Sequence, residues 1–457
     1  MSSMSSLSPS PAPLSELRAL LNLALPIALG QWAQMAMHTI DTAMVGRLGV
    51  EAVAASSLGS IAVAPFFMAL GGLGAALPPL MARMVAAQDR AGADRLLRQA
   101  WTCGAVLAVG VATVFMFVVH WLPANGQPAA VRETAAQFSS ILIWSLVPVM
   151  LLQNLRGLAE ANNRPWLPLG NIMLGLVVNV GCNFVLIYGF GPVPAFGVPG
   201  AAIGTGIARV VMLAHFVFVI WSRPELRPGP GWLTRHAWTR KDLRPYLQLG
   251  GLTAASILLV VGSVVVLTYW ISRSGPAVLA THEIARQVWM LCYVIPVGWS
   301  TAAALRTAWW LGRGDMDALR RSVKVAFLVG GGGGLALALG VLVTRGVLPG
   351  FFMGNARDAA TVAVAAQASG LLPFTAGVLA CEGILLTAVG VCRGLSYMVP
   401  VAIVYLLCYW VFGLGAAMWL GQPAYWGLPG VWAGMVLGVG IGAVWMSALT
   451  VRRLRRL

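Results

Sequence analysis

Twelve apolar stretches, joined by mostly short polar connections, dominate this chain and leave few ways for it to fold. They cover residues 17–46, 52–80, 97–122, 133–157, 166–190, 199–222, 246–272, 276–305, 322–348, 359–390, 398–420 and 427–450. A helix needs about 20 apolar residues to cross the hydrocarbon of a bilayer. Several stretches are longer than that, which predicts tilted or bent helices. Charge is correspondingly scarce: 30 basic and 14 acidic residues in 457, where soluble chains carry charge on about a quarter of positions. Too few charges remain to coat a soluble surface of this size. A cytosolic enzyme, a disulfide scaffold and a disordered chain are excluded, and an all-α polytopic membrane protein of twelve transmembrane helices is expected.

The formal charge of +16 does not point to nucleic acid, because the basic residues fall in short clusters between apolar runs. Twenty-three of the thirty lie on one side of the expected spans, in the first turn, the even-to-odd loops and the tail Arg452–Arg456. The positive-inside rule then places both termini in the cytoplasm, and the cell inner (plasma) membrane is the expected location. The first fifteen residues lack the basic region of a cleavable signal peptide. Six cysteines lie in apolar stretches without metal-ligand spacing and read as small hydrophobes. Neither a metal site nor a cofactor is expected.

One long polar connection separates six spans from six. It divides the chain into a cytoplasmic tail (1–16) expected to be disordered, an N-lobe (17–222), a cytoplasmic linker (223–245), a C-lobe (246–450) and a basic tail (451–457). The lobes resemble each other. QDRAGADRLLRQA (88–100) aligns with LGRGDMDALRRSV (311–323), the Arg-Gly pair at 156–157 with that at 393–394, and FGVPGAAIGTGI (196–207) with WGLPGVWAGMVL (426–437). Repeats of six spans keep the same orientation. They therefore relate by a pseudo-two-fold axis along the membrane normal, which is transporter architecture with a cavity expected between the lobes.

Three acids lie inside spans: Asp41, Glu283 and Glu382. A carboxylate there costs at least ~2.5 kcal/mol on insertion scales and marks a cavity or proton path. Gln34, His38 and Asp41 share one face of the first span, and Pro26 supplies a candidate hinge. Glu382 lies eleven residues before Arg393, about 16 Å along a helix and near the midplane. Glu283 precedes Arg286 by three positions, the spacing of an internal ion pair, so a functional and a structural role stand level for it. Asn179 and Asn183 share a face and serve equally as interhelical glue or as cavity lining. Some of the eighteen tryptophans could stack on a flat or cationic ligand. Gly330–Gly334 lacks the Lys-Ser/Thr of a phosphate loop and reads as close helix packing.

Four segments resemble the multidrug and toxic compound extrusion (MATE) family, nearest its NorM-type or DinF-like bacterial branch. They are LALPIALGQWAQMAMHTIDTAMVGRLG, NVGCNFVLIYG, ATHEIARQVWMLCYVIPVGWSTAAALRTA and CEGILLTAVGVCRG. The resemblance runs from about residue 20 to 450. It implies an antiporter, not an enzyme, that exports drugs or organic cations against inward proton or sodium movement. Asp41 would be the N-lobe carboxylate with Asn179 and Asn183 beside it, and Glu382 its C-lobe counterpart. Relatives commonly carry another acid in the seventh span, where this chain has only apolar and small residues. Glu283 stands in place of a glutamine. These departures tilt the expectation toward protons. Expected partners are a small cationic or aromatic substrate and the lipid bilayer, with the chain acting as a monomer. The rival readings are a lipid-linked oligosaccharide flippase of the same superfamily and a membrane-embedded lipid-modifying enzyme. The first needs a more basic cavity and the second a catalytic histidine cluster.

Overall fold

The computed structural model describes residues 13–119, 128–229, 240–353 and 359–457. Residues 1–12 of the tail expected to be disordered, most of the central linker, and His120 and His236 lie outside the described residues. Among those described, the secondary structure is helical apart from one isolated bridge between Phe190 and Val193.

The helices are α1 (Pro13–Gly46), α2 (Val50–Gly74), α3 (Leu77–Ala86), α4 (Arg90–Val118), α5 (Ala129–Trp144), α6 (Leu146–Ala161), α7 (Trp166–Tyr188) and α8 (Gly197–Trp221). There follow α9 (Arg240–Ser272), α10 (Pro276–Arg313), α11 (Met316–Thr344), α12 (Leu348–Met353), α13 (Ala359–Gly394), α14 (Val399–Tyr405), a π-helical segment (Leu406–Leu414), α15 (Gly415–Leu420) and α16 (Leu428–Arg455). Eleven of the resulting stretches are long and apolar enough to cross a membrane, with α2–α3, α5–α6 and α14–α15 each forming one span. The twelfth is α1, whose Asn22, Gln31, Gln34, His38 and Asp41 dilute its apolar content. The chain is a multi-pass membrane protein.

Helix α1 begins at Pro13, inside the stretch assigned to the tail, because Glu16 is anchored. Its carboxylate, 2% exposed, accepts hydrogen bonds from Arg306 Nε at 2.8 Å, Arg306 Nη2, Ser322 Oγ at 2.6 Å and Trp310 Nε1 at 3.3 Å. Burial by itself would push the carboxyl up. The bonds and positive charge of Arg306, with Ser322 and Trp310, outweigh it and hold the group below the usual glutamate range.

The chain forms two compact units. One comprises Met1–Ala28 with Ala255–Leu457, the other Leu29–Ala254. Their edges fall within α1, two residues past Pro26, and within α9, beyond Gly250–Gly251, rather than in the polar connector. In the second unit α7 packs on α8, α2 on α5, and α4 on α6. In the first, α13 is the central helix, packed by α10, α11 and α16. A Cβ on Gly330 would stand 2.6 Å from the carbonyl oxygen of Gly383, and one on Gly383 would stand 2.2 Å from that of Gly330. The glycine run therefore brings the α11 backbone against α13, as close packing requires.

The duplication is written in the backbone as well as in the sequence. Left-handed residues recur in pairs: Gly49 and Gly275 before α2 and α10, Gln88 and Gly314 before α4 and α11, Asn163 and Ser396 after α6 and α13, Gly197 and Gly427 at α8 and α16. Gly197 and Gly427 have φ of 61° and 59°, a conformation that glycine adopts without strain. This last pair keeps the expected alignment, but the Gln88–Gly314 and Asn163–Ser396 pairs adjust it. Asp89 and Asp315 each cap the next helix by accepting from a backbone N–H three residues on, at 2.8 Å. Asp89 thus pairs with Asp315 rather than with Gly312. The caps at Asn163 and Ser396 likewise place the two Arg-Gly pairs one helical turn out of register.

Candidate functional site

Asp41 lies in the last third of α1, and every side chain bonded to it belongs to the same unit. Asn183 Nδ2 on α7 donates to Asp41 Oδ1 at 2.6 Å. Asn179, one turn earlier, and Thr205 of α8 also face the carboxylate, and Asn179 Nδ2 donates to Thr205 Oγ1 at 3.4 Å. Both asparagines are fully buried. Their Oδ1 atoms have no hydrogen-bond partner among the described residues. At the C-terminal end of α7, Tyr188 Oη donates to the Met44 carbonyl at 2.6 Å and fastens this end of α1. The four-residue spacing in NVGCN is what presents both amides to one neighbour.

Arg209 of α8 stands near Asp41 and His38 electrostatically, but outside ion-pair contact with Asp41. Its guanidinium lies 4.7 Å from the centroid of the Phe67 ring, and its Nη1 donates to Ser145 Oγ. Ser145 is the break between α5 and α6. Pro148 has no N–H to offer the carbonyl one turn back, at Trp144, so the helix is interrupted in mid-span. Gln34 is half-buried on α1 and His38 is exposed. No side-chain hydrogen bond joins either to Asp41 among the described residues, although spacing placed all three on one face.

Glu382 is 1% exposed on α13. Its Oε2 accepts from Trp289 Nε1 of α10 at 2.8 Å. Beside it lies a cavity of about 30 Å³ lined by Glu382, Trp289, Ser263, Tyr409, Gly413 and Met435, among others. That volume holds a water molecule or two and no drug. Tyr409 and Gly413 come from the π-helical segment, and Trp410 of that segment donates to the Leu259 carbonyl of α9 at 2.8 Å. π-helical turns concentrate at functional sites.

Glu283 is not brought to Glu382's hydrogen bonds. It pairs with Arg286, whose Nε lies 2.9 Å from its Oε2, and both side chains are partly exposed. His282 turns away, 5.7 Å from the Trp432 ring. Sequence reasoning missed two participants of the site and the anchor of α1. Thr205 was hidden in a small-residue helix, Trp289 was one tryptophan among eighteen, and Glu16 read as an acid at a span edge. The signal for Trp289 was its place in α10, seven residues after His282 and one face removed from Glu283.

This arrangement of long apolar helices, duplicated lobes and carboxylates within the spans held by polar side chains defines a helical membrane transporter. The profile of the MatE family matches residues 26–185 and 253–419, and the chain belongs to that family, whose members are transporters and not enzymes. Relatives extend over nearly the whole chain. It is 32% identical to the probable multidrug resistance protein NorM of Rhodopseudomonas palustris over 97% of this chain and 92% of that protein. It is 31% identical to the protein of that name from Pseudomonas aeruginosa, over 95% and 89%. Among solved structures, a MATE protein in complex with MaL6 superposes with a TM-score of 0.88 at 20% identity, covering 98% of this chain and 99% of that one. An outward-facing multidrug resistance MATE transporter gives 0.85 at 20% identity over 98% and 99%. These two likenesses establish the fold.

Proposed function

We propose that the chain exports small organic molecules, cationic or aromatic, in exchange for protons entering the cell, from a monomer in the inner membrane with both termini cytoplasmic. The relatives at about 30% identity are multidrug resistance proteins, which supports the export of drugs. One observation carries the coupling. Of the acids singled out in the spans, Glu283 is neutralised by Arg286, whereas Asp41 and Glu382 are held by neutral donors, Asn183 and Trp289. A carboxylate held this way gains or loses a proton without an ion pair having to break. It can therefore trade a proton for a cationic substrate.

Exchange follows from competition. Ionised Asp41 attracts a cationic group, and protonated Asp41 does not. A conformational change that exposes the site alternately to the two sides of the membrane couples the two fluxes, since one carboxylate cannot favour both ligands at once. Glu382 serves the same exchange in its own unit. The cavity beside it is too small for a drug in this conformation, which favours a proton-handling role for Glu382 and a substrate-contacting role for Asp41. Asn179 and Asn183 line the Asp41 pocket, and Pro26 is the hinge of α1.

The test is ethidium transport in proteoliposomes with a proton gradient and a sodium gradient imposed separately. Accumulation driven by the proton gradient alone is the expected result. Transport driven by sodium alone would replace the coupling ion, and no transport under either gradient would overturn the export reading.

A further inference from the structure

His282 is a titratable group in the same unit as Glu382, and the exchange just described does not use it. It is 2% exposed, on the helix α10 that starts at Pro276. Its Nε2 lies 3.4 Å from Thr268 Oγ1 of α9, and its ring centroid lies 5.7 Å from that of Trp432 on α16. Two buried polar atoms of this contact have no hydrogen-bond partner among the described residues: His282 Nδ1, and Trp432 Nε1 on a fully buried ring. The indole N–H is a donor only, and Nδ1 is an acceptor whenever Nε2 carries the proton. Buried polar atoms are nearly always paired. Two orphans in one contact therefore point to an exchangeable partner such as water or a proton, rather than to packing.

The same three helices line the cavity beside Glu382, and the cluster stands one to two turns from it on the same faces. His282 is seven positions before Trp289, Thr268 four after Val264, and Trp432 three before Met435 and seven before Val439. Spacings of three, four and seven return to one face of a helix. Trp289, Val264, Met435 and Val439 all border the cavity, and Trp289 Nε1 donates to Glu382 Oε2 at 2.8 Å. Seven residues of helix cover about 10 Å, and His282 stands that far from Trp289 toward the start of α10. The start of α10, the start of α16 and the end of α9 are on the outer side in the orientation proposed above. From outside inward the order is His282 with Thr268, then the cavity with room for a water molecule, then Glu382.

No fixed charge holds the imidazole in one state. From α9 and α16 it meets Thr268 and Trp432, which carry none. On α10 itself Glu283 and Arg286 neutralise each other. Helix α13 brings Gln367 to the neighbouring Thr281 and Glu382 to the cavity. The π-helical segment brings Cys408 and Tyr409 to the cavity wall, and thiol and phenol are ordinarily neutral. No acid forms an ion pair with His282 among the described residues.

We infer that His282 is a proton-carrying residue between the outer side of the membrane and Glu382, with Thr268 passing the proton on and Trp432 positioning the ring. This rests on the export reading, in which Glu382 handles the proton, and adds the route by which the proton arrives. A proton from the outer side binds Nδ1, and the proton on Nε2 leaves to Thr268 Oγ1. The hydroxyl gives up its own proton to water in the cavity and so to ionised Glu382. The imidazole ends neutral with its proton on Nδ1, and a ring flip restores the starting tautomer.

The experiment follows Glu382 directly. The purified full chain is reconstituted into liposomes with its outer face to the medium. The medium is stepped from about pH 8 to about pH 5, a range in which an imidazole changes charge. Time-resolved infrared spectroscopy records the carbonyl band of the protonated carboxyl, assigned to Glu382 by its loss in Glu382→Gln. In His282→Gln the band is expected to reach the same amplitude at least about ten-fold more slowly, since a positioned proton-transferring side chain contributes on this scale or above. A purely structural defect would change the amplitude or the thermal midpoint rather than the rate alone. Thr268→Val keeps the shape, loses the hydroxyl and should slow the rise as well. A wild-type rate in folded His282→Gln overturns the inference. If that protein does not fold, Thr268→Val decides: a slow rise supports the route and a wild-type rate overturns it. A wild type without a band that Glu382→Gln removes overturns it too, together with the proton-handling role of Glu382. Ethidium transport is measured separately. If the slower rise is found but no gradient drives ethidium, the export reading fails while the proton route stands.

Discussion

Gly204 lies where a Cβ would stand 2.2 Å from Oδ1 of Asn183. The absence of a side chain at this position of α8 is what lets the Asn183 amide sit between α7 and α8 and reach Asp41. Gly204→Ala is therefore expected to displace the amide and lengthen or break its 2.6 Å bond to the carboxylate. Transport should fall at least ten-fold while the protein still inserts. Gly206, two residues on, meets nothing within 4 Å, and Gly206→Ala in the same assay should retain near wild-type transport.

Asp41→Asn removes the exchangeable charge and keeps the shape. Proton-driven ethidium transport should be lost, with an unchanged elution profile on size exclusion. Asn183→Ala leaves Asp41 ionisable but removes its best donor, so partial transport is expected. Wild-type transport by Asp41→Asn would sink the assignment.

Trp289 provides the hydrogen bond to a carboxylate that is otherwise enclosed by α10, α13 and the π-helical segment. Trp289→Phe keeps an aromatic ring and deletes the donor. A buried acceptor left without its partner costs about 1–3 kcal/mol, readable as a lower midpoint in thermal unfolding. Glu382→Gln, which cannot exchange a proton, should lower transport more than Trp289→Phe does, although its thermal midpoint should change less.

Glu283 and Arg286 form a partly exposed pair one turn apart, for which about 0.2–1 kcal/mol is typical. Exchanging them, Glu283→Arg with Arg286→Glu, should leave transport within about two-fold of wild type, as expected for a weak structural pair. Loss of proton-driven transport in the exchanged protein would instead make Glu283 a third coupling acid.

Glu16 and Arg306 are a buried pair with two further donors on the carboxylate. Glu16→Ala leaves Arg306 buried without its partner and should destabilise the protein by about 3–5 kcal/mol. The pH dependence has a definite sign. Because the carboxyl is held below its ordinary value, the stabilisation is fully present above the unfolded glutamate value of about 4.3. It is lost as pH falls through the lower folded value. The difference in unfolding midpoint between wild type and Glu16→Gln should be constant from pH 8 to 5 and shrink below that.

The spans, their number and the duplicated plan were legible because hydropathy reports directly on which solvent a segment meets. Asp41, Glu382, Asn179 and Asn183 were legible for a related reason: polar atoms stand out where the surroundings are apolar. Single-residue chemistry in the sequence does not report which partner a side chain finds across the fold. Glu16 looked like an ordinary helix-start acid because Arg306, Trp310 and Ser322 lie nearly three hundred positions away. Gln34 and His38 shared the face of Asp41 as spacing required, yet a shared face gave no shared hydrogen bond. Repeat alignment by residue identity slipped at Asp89 and at the Arg-Gly pairs, where the cap geometry, rather than the letters, marks equivalence.

The π-helical segment has a bearing on how relatives can be compared. In Leu406–Leu414 each backbone bond spans five residues instead of four, so this stretch accommodates extra chain without adding length to the span in proportion. Residues after Leu414 consequently point in directions that an unbroken α-helical wheel drawn from Val399 would assign to others. A one-residue deletion between Leu406 and Leu414 could be absorbed by winding the segment back to α, whereas the same deletion in α13 would rotate Glu382 away from Trp289. Length variation among related chains in the eleventh span is thus best placed inside these nine residues, and Tyr409 is best matched by its position in the cavity wall.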